Sequence, residues 1–150
     1  MIKIKHLPQY IILLLLILLA ILEGWTYYLG TPKVTFKRLI GSSVYPQIED
    51  ISLRRYKKGK ISPHLFNIKT KDKRAVLTQL IKDCKAQEID SSKIPNEVKG
   101  VDKEMIVVVQ KSPYIYLSKS YNLSKPKEGR MCLIFSDKDS IYLFINGNLE

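Results

Sequence analysis

Thr70 to Lys85 reads TKDKRAVLTQLIKDCK, and its apolar residues recur at helical spacing. Val76, Leu77, Leu80, Ile81 and Cys84 fall at i, i+1, i+4, i+5 and i+8, which is one stripe on a 3.6-residue period. Thr70 is placed to cap the N-terminus, and Asp72 lies in the first turn, where the helix dipole favours a carboxylate. Lys73, Arg74, Lys82 and Asp83 fall on or toward the wet side. A helix with a single apolar stripe needs a surface to cover, and the flanking segments read as strands that supply one.

Upstream, from Ile48, the period becomes two: Ile51, Leu53 and Arg55 share one face, and Ser52, Arg54 and Tyr56 share the other. A turn follows at Lys57 to Lys60 (KKGK), with Gly59 supplying the positive φ that such a loop usually needs. His64 to Lys69 (HLFNIK) then alternates with His64, Phe66 and Ile68 on one face, completing a hairpin. Downstream, residues 86–102 (AQEIDSSKIPNEVKGVD) contain Pro95, Asn96 and Gly100 and read as a long loop. EMIVVVQ (Glu104 to Gln110) and YIYLSK (Tyr114 to Lys119) form a second hairpin, and the solid apolar run Ile106 to Val109 reads as a central strand. MCLIFS and IYLFIN, joined by Asp137 to Ser140, form a third. The order is β-β-α-β-β-β-β, an α+β fold: a mostly antiparallel sheet with one packed helix, over residues 47–150.

Between Thr31 and Gln47 the breakers Pro32, Gly41, Ser42, Ser43 and Pro46 mark a juxtamembrane linker over residues 31–46, from which Val34, Phe36 and Leu39 can pack back. Before it, residues 1–30 are of a different kind. Tyr10 to Leu22 (YIILLLLILLAIL) carries no charge. Its thirteen residues reach only about 20 Å as a helix, short of the roughly 30 Å of a bilayer core. Extended through Leu29 the run is long enough, and Trp25, Tyr27 and Tyr28 then lie where an aromatic belt belongs. Glu23 falls near the headgroups, where a carboxylate stays hydrated.

A cleaved signal sequence is the competing reading, with Lys3 and Lys5 as its positive flank. The cleavage site is poor: Ala20 is followed two positions on by Leu22, and Gly24 and Thr26 enclose Trp25. A buried helix of a soluble domain is the third reading. The pattern favours an uncleaved signal-anchor in a single-pass cell-membrane protein, with secretion after cleavage as the alternative. Lys3, Lys5 and the α-amino group tie with Lys33, Lys37 and Arg38 across the segment, so the charge rule leaves orientation open. A short positive flank followed at once by an apolar run favours placing the domain outside.

The chain has 25 Lys plus Arg against 14 Asp plus Glu. With Lys3, Lys5 and Glu23 removed, 23 against 13 remain, and the domain carries +10. A field of that sign concentrates polyanions: anionic lipid, cell-wall polymer or, on the cytoplasmic side, nucleic acid. Two clusters carry it, Arg54, Arg55, Lys57, Lys58 and Lys60 around Tyr56, and Lys125, Lys127 and Arg130. These eight residues are the candidate anion-binding groups. Nucleic-acid binding would ordinarily add stacking aromatics, and only Tyr56 is near, which ranks that partner below lipid, cell-wall polymer or a protein.

The remaining chemistry is thin. Cys84 and Cys132 could form a disulfide closing a loop of about 48 residues, worth roughly 4 kcal/mol in the chain-entropy model, or stay as buried thiols. Two cysteines and His64 lack metal-site spacing, so no metal and no cofactor is expected. A cysteine nucleophile with His64 as base is formally available. Ser124 to Lys127 spells S-x-x-K without its companion motifs, and Asp137 and Asp139 open a calcium-loop pattern that does not continue. Asn122-Leu123-Ser124 is a glycosylation sequon.

The strand in IEDISLRRY, a second strand, a helix closing on Ile94-Pro95-Asn96, then MIVVV and a tyrosine-rich strand follow one another over residues 47–120. That order resembles small extracytoplasmic domains of uncharacterised function in Gram-positive bacteria, often lipoproteins. This chain lacks their lipobox cysteine. The resemblance implies export and no activity. The expected function is therefore non-catalytic: a membrane-anchored extracytoplasmic domain binding an anionic envelope component or a protein. The alternatives are a cytoplasmic-facing domain that binds nucleic acid at the membrane, and an envelope hydrolase whose groups carry no recognisable motif.

Overall fold

The computed structural model describes residues 7–40, 44–56, 63–118 and 131–146. An apolar helix α1 (Leu7–Leu29) leads, after two residues, into α2 (Pro32–Ile40). Then come β1 (Asp50–Arg55), β2 (His64–Lys69), α3 (Lys73–Asp83), β3 (Ala86–Ile89), α4 (Asn96–Lys99), α5 (Lys103–Lys111), β4 (Ile115–Ser118), β5 (Met131–Ser136) and β6 (Ile141–Asn146). The six strands form one sheet in the order β1-β2-β6-β5-β4-β3, every neighbouring pair antiparallel. The α+β class and the antiparallel sheet after an N-terminal apolar helix are as the sequence predicts.

The sheet is covered on both faces, because its centre is apolar on both. All six residues of β5 are buried. Ile51, Phe66, Ile68, Cys132, Ile134, Ile141, Leu143 and Ile145 form one cluster with Phe36 and Leu39 of α2 and Val76 and Leu80 of α3. Leu65, Leu117, Met131, Leu133, Phe135 and Phe144 form the other, closed by Val98 of α4 and Met105 and Val109 of α5. The expected stripe on α3 is the observed one, with Val76 and Leu80 buried and Leu77, Ile81 and Cys84 packed beside them. Its cap is Asp72, whose side chain accepts from Ala75 N at 2.9 Å, while Thr70 Oγ1 instead donates to Gln47 O at 2.6 Å.

Three segments depart from their sequence reading. Glu104 to Gln110, expected as a strand, belongs to helix α5. Asp102 caps it, accepting from Glu104 N and Met105 N, and only Met105 and Val109, one turn apart, are fully buried while Val107 is 47% exposed. A central strand would have to bury both of its faces. The sixth strand lies inside the expected loop, at Ala86–Ile89, where Lys85 takes a left-handed φ of 51° and turns the chain directly out of α3. Residues 31–46, expected as a linker, contain α2, whose Thr35, Phe36 and Leu39 are buried. Phe36 meets Phe66 edge-on at 5.4 Å.

Among the described residues helix α1 meets the domain at its last turn, where Leu29 O accepts from Thr35 Oγ1, and every side chain from Gln9 to Tyr28 is exposed. The reading as a buried helix of the domain therefore fails. Gln9–Leu29 is long and apolar enough to cross a membrane by length and composition, since its 21 helical residues extend about 31 Å.

Phe36→Ala should lower unfolding stability by about 3–5 kcal/mol, because it empties a fully buried site at which helix and sheet meet. Val107→Ala should stay within about 0.5 kcal/mol, whereas a core strand there would make it costly. Urea unfolding of both variants checks the two statements together.

Candidate functional site

In a strand, successive side chains leave by opposite faces, so the basic cluster at the end of β1 is divided. Arg54 points to the face covered by α5, and Arg55 to the face covered by α2 and α3. Lys57, Lys58, Lys60, Lys125, Lys127 and Arg130 lie outside the described residues, as do the KKGK turn, the S-x-x-K stretch and the sequon.

Arg54 stands at the lip of a cleft between β1, β2 and β6 on one side and the first turns of α5 on the other. The cleft has a volume of about 210 Å³. Register builds its polar wall: Ser52 lies opposite Asn67, and Asn67 opposite Tyr142, as one cross-strand row. Leu65 and Phe135 from the sheet, with Met105 and Val108 from α5, supply apolar surface. Phe135 and Tyr142 stack at 5.1 Å with planes 8° apart.

At the lip, Asp102 does two jobs. Its Oδ1 accepts from Glu104 N at 2.8 Å and from Met105 N at 3.5 Å, satisfying the first turn of α5. Its Oδ2 accepts from the Tyr56 hydroxyl at 2.7 Å and lies 3.6 Å from Arg54 Nη1. The same guanidinium nitrogen donates to Glu104 Oε2 at 3.3 Å. The Arg54–Glu104 pair is largely exposed and contributes at most about 1 kcal/mol. Asp102 is the shielded member, its side chain 16% exposed, and its carboxyl is held below the usual carboxylate range, chiefly by the Tyr56 hydrogen bond. Tyr56 is pushed up to about 12, by burial first and by the Asp102 hydrogen bond next. It is therefore a donor throughout the neutral range.

Deeper in, Asn67 Oδ1 is buried with no hydrogen-bond partner. An unmet acceptor of this kind costs about 1–3 kcal/mol. The cleft thus offers a guanidinium, two carboxylates, an amide and hydroxyls beside apolar surface. Arg54 is matched by two carboxylates, so the lip does not present a net positive charge.

The hairpin after it is held by its own turn. Asp137 Oδ1 accepts from Asp139 N at 2.9 Å and Ser140 N at 2.8 Å, and Oδ2 accepts from the Tyr142 hydroxyl at 2.8 Å. Burial would push Asp137 up, but these bonds and Lys73 hold it below its ordinary value. A turn, not a cation loop, uses the two aspartates. Cys84 and Cys132 both pack in the α2/α3 cluster as thiols. His64 and Cys132 fall in one cross-strand row with Ile145 between them, about 10 Å apart at the backbone. Among the described residues no group of three or more His, Cys, Asp or Glu side chains could hold a metal ion.

Asp102 and Glu104 were the residues invisible to the strand reading. The signal for them is an aspartate directly before Lys-Glu-Met, an N-cap ahead of an apolar run. No family description, curated protein or solved structure matches the chain, so the cleft is read from its own chemistry.

Tyr56→Phe should destabilise the domain by roughly 1.5–3 kcal/mol at neutral pH, the usual worth of a hydrogen bond to a charged group. Because Asp102 titrates below its unfolded value of about 3.9, its contribution is complete above that pH and is lost as pH falls through the depressed folded value. Asp102→Asn should therefore flatten the acid limb of the stability curve. Unfolding midpoints measured from pH 2 to 7 for wild type and both variants test this.

Proposed function

We propose that the chain is a single-pass membrane protein whose α+β domain lies on the outer side, held against the bilayer surface, and acts by binding an anionic envelope component or a protein partner. One observation supports the placement of the domain beside the bilayer. Only Gly30 and Thr31 separate α1 from α2, and α2 is buried in the same cluster as the sheet. The connection is reinforced: Thr35 Oγ1 donates to Leu29 O at 3.4 Å, and the Arg55 guanidinium donates to Gly30 O. A domain joined this way is presented at a fixed place beside the end of the helix.

The bare surface of α1 supports the membrane part. Large apolar side chains along its length, among them Leu14, Leu16, Ile21 and Trp25, are exposed, with no cover among the described residues. An apolar surface of that extent in water is a strong aggregation liability, which hydrocarbon removes. The outward placement rests on the short positive flank before the apolar run, and the envelope partner on the domain's charge of +10.

A reporter fused after Glu150, with protease added from each side of the membrane, tests placement. We expect the reporter outside and a fragment of full length, with α1 retained. A cytoplasmic reporter overturns the outward reading, and a fragment shortened by the N-terminal segment overturns the anchor. Salt-sensitive binding to DNA without binding to anionic vesicles would assign the charge to nucleic acid instead.

A further inference from the structure

We propose that the elbow between α1 and α2 is a headgroup site for an anionic phospholipid, with Arg55 as the group that takes the phosphate. The inference rests on α1 crossing the membrane and names one ligand for the domain's positive charge.

The elbow borders an open hollow of about 290 Å³ lined by Thr26, Tyr27, Gly30, Thr31, Pro32 and Arg55. It spans the last turn of the apolar segment Gln9–Leu29 and the first residues beyond it. Trp25 and Tyr28 lie 6.1 Å apart on the last turns of α1, the position of an interfacial aromatic pair. A hollow that runs from Thr26 and Tyr27, level with this pair, to Pro32 is at headgroup depth, where lipid phosphates are the most abundant anions.

Its chemistry fits that ligand. A guanidinium carries five N–H donors in a planar fork that matches phosphate oxygens two at a time. Arg55 Nη2 already donates to Gly30 O, which fixes the fork at the wall of the hollow and leaves further donors. Among the described residues no carboxylate pairs with Arg55. The contrast with Arg54, which faces two carboxylates across the sheet, is sharp.

The last carbonyls of α1 would otherwise repel a phosphate. They are engaged: Thr26 O and Tyr27 O accept from Gly30 N at 3.1 Å, and Tyr28 O accepts from Thr31 N at 3.1 Å and Thr31 Oγ1 at 2.9 Å. Helix α2 starts at the elbow and contains no acidic residue, while Lys33, Lys37 and Arg38 are exposed along it. The one acidic residue of the described part of α1, Glu23, precedes Gly30 by about 10 Å of helix. Lys33, Lys37 and Arg38, on the helix that leaves the elbow and within nine residues of Leu29, add their positive charge to that of Arg55.

Trp25 is the single tryptophan of the chain, so its fluorescence reports the lipids around the elbow. The full chain is reconstituted in mixed phosphatidylcholine and phosphatidylglycerol vesicles, with bromine placed high on the acyl chains of one lipid or the other. At equal mole fraction, brominated phosphatidylglycerol should quench Trp25 about twofold or more above brominated phosphatidylcholine, as expected from cations at an anionic surface. Lys33→Gln with Lys37→Gln, both on exposed positions, should reduce the excess, and Arg55→Gln should abolish it. Equal quenching by the two lipids overturns the headgroup site while leaving the span intact. An excess that survives Arg55→Gln and the lysine pair alike overturns the assignment to the elbow. Quenching by neither lipid means that α1 is not in the bilayer, and the membrane reading falls first.

Discussion

The hairpin β5–β6 is apolar on both of its faces, and the rest of the domain is arranged to keep water from it. Leu133, Phe135 and Phe144 point one way, and Ile134, Leu143 and Ile145 the other. Backbone groups in the strands are satisfied by pairing on both sides, with β2 beyond β6 and β4 beyond β5. The side chains still need two covers, and one amphipathic helix can supply only one. The chain provides α3 and α2 for the first face and α4 and α5 for the second. That demand is strong enough to turn a β-branched run into a helix and to draw the segment after the apolar helix into the core.

The legibility of the sequence follows the same logic. Where burial is one-sided, periodicity shows the answer: the stripe of α3 and the alternation of β1 were readable from Val76, Leu80 and Ile51 alone. Met105 to Val109 was not, because a short unbroken apolar run has no period, and Asp102 before it outweighs the strand preference of valine by capping a helix. Ala86 to Ile89 was not, because an edge strand with half-buried ends and polar middle residues carries almost no apolar signal. In the cleft, Arg54 and Tyr56 were visible as one cluster with Arg55. Their partners Asp102 and Glu104 lie about fifty positions along the chain, and only tertiary packing brings them together.

Two environments for cations emerge from one strand. Arg54 enters a network that also holds Tyr56 and the cap of α5, so its charge is spent on local order. Arg55 meets a backbone carbonyl just past the end of the apolar helix, and among the described residues no carboxylate pairs with it. The excess positive charge of the domain is thus uneven in its availability, and exposure together with pairing decides which residues present it.

Alternation along β1 has a further result. Ile51 and Leu53 hold its register by their place beside α2 and the sheet. A one-residue insertion between them and Arg54 would flip both arginines, sending the cleft's cation to the elbow and the elbow's cation into the cleft. The distance from Leu53 is therefore a shared coding constraint on two surfaces of the molecule, and neither can be retuned by length changes in this strand without disturbing the other.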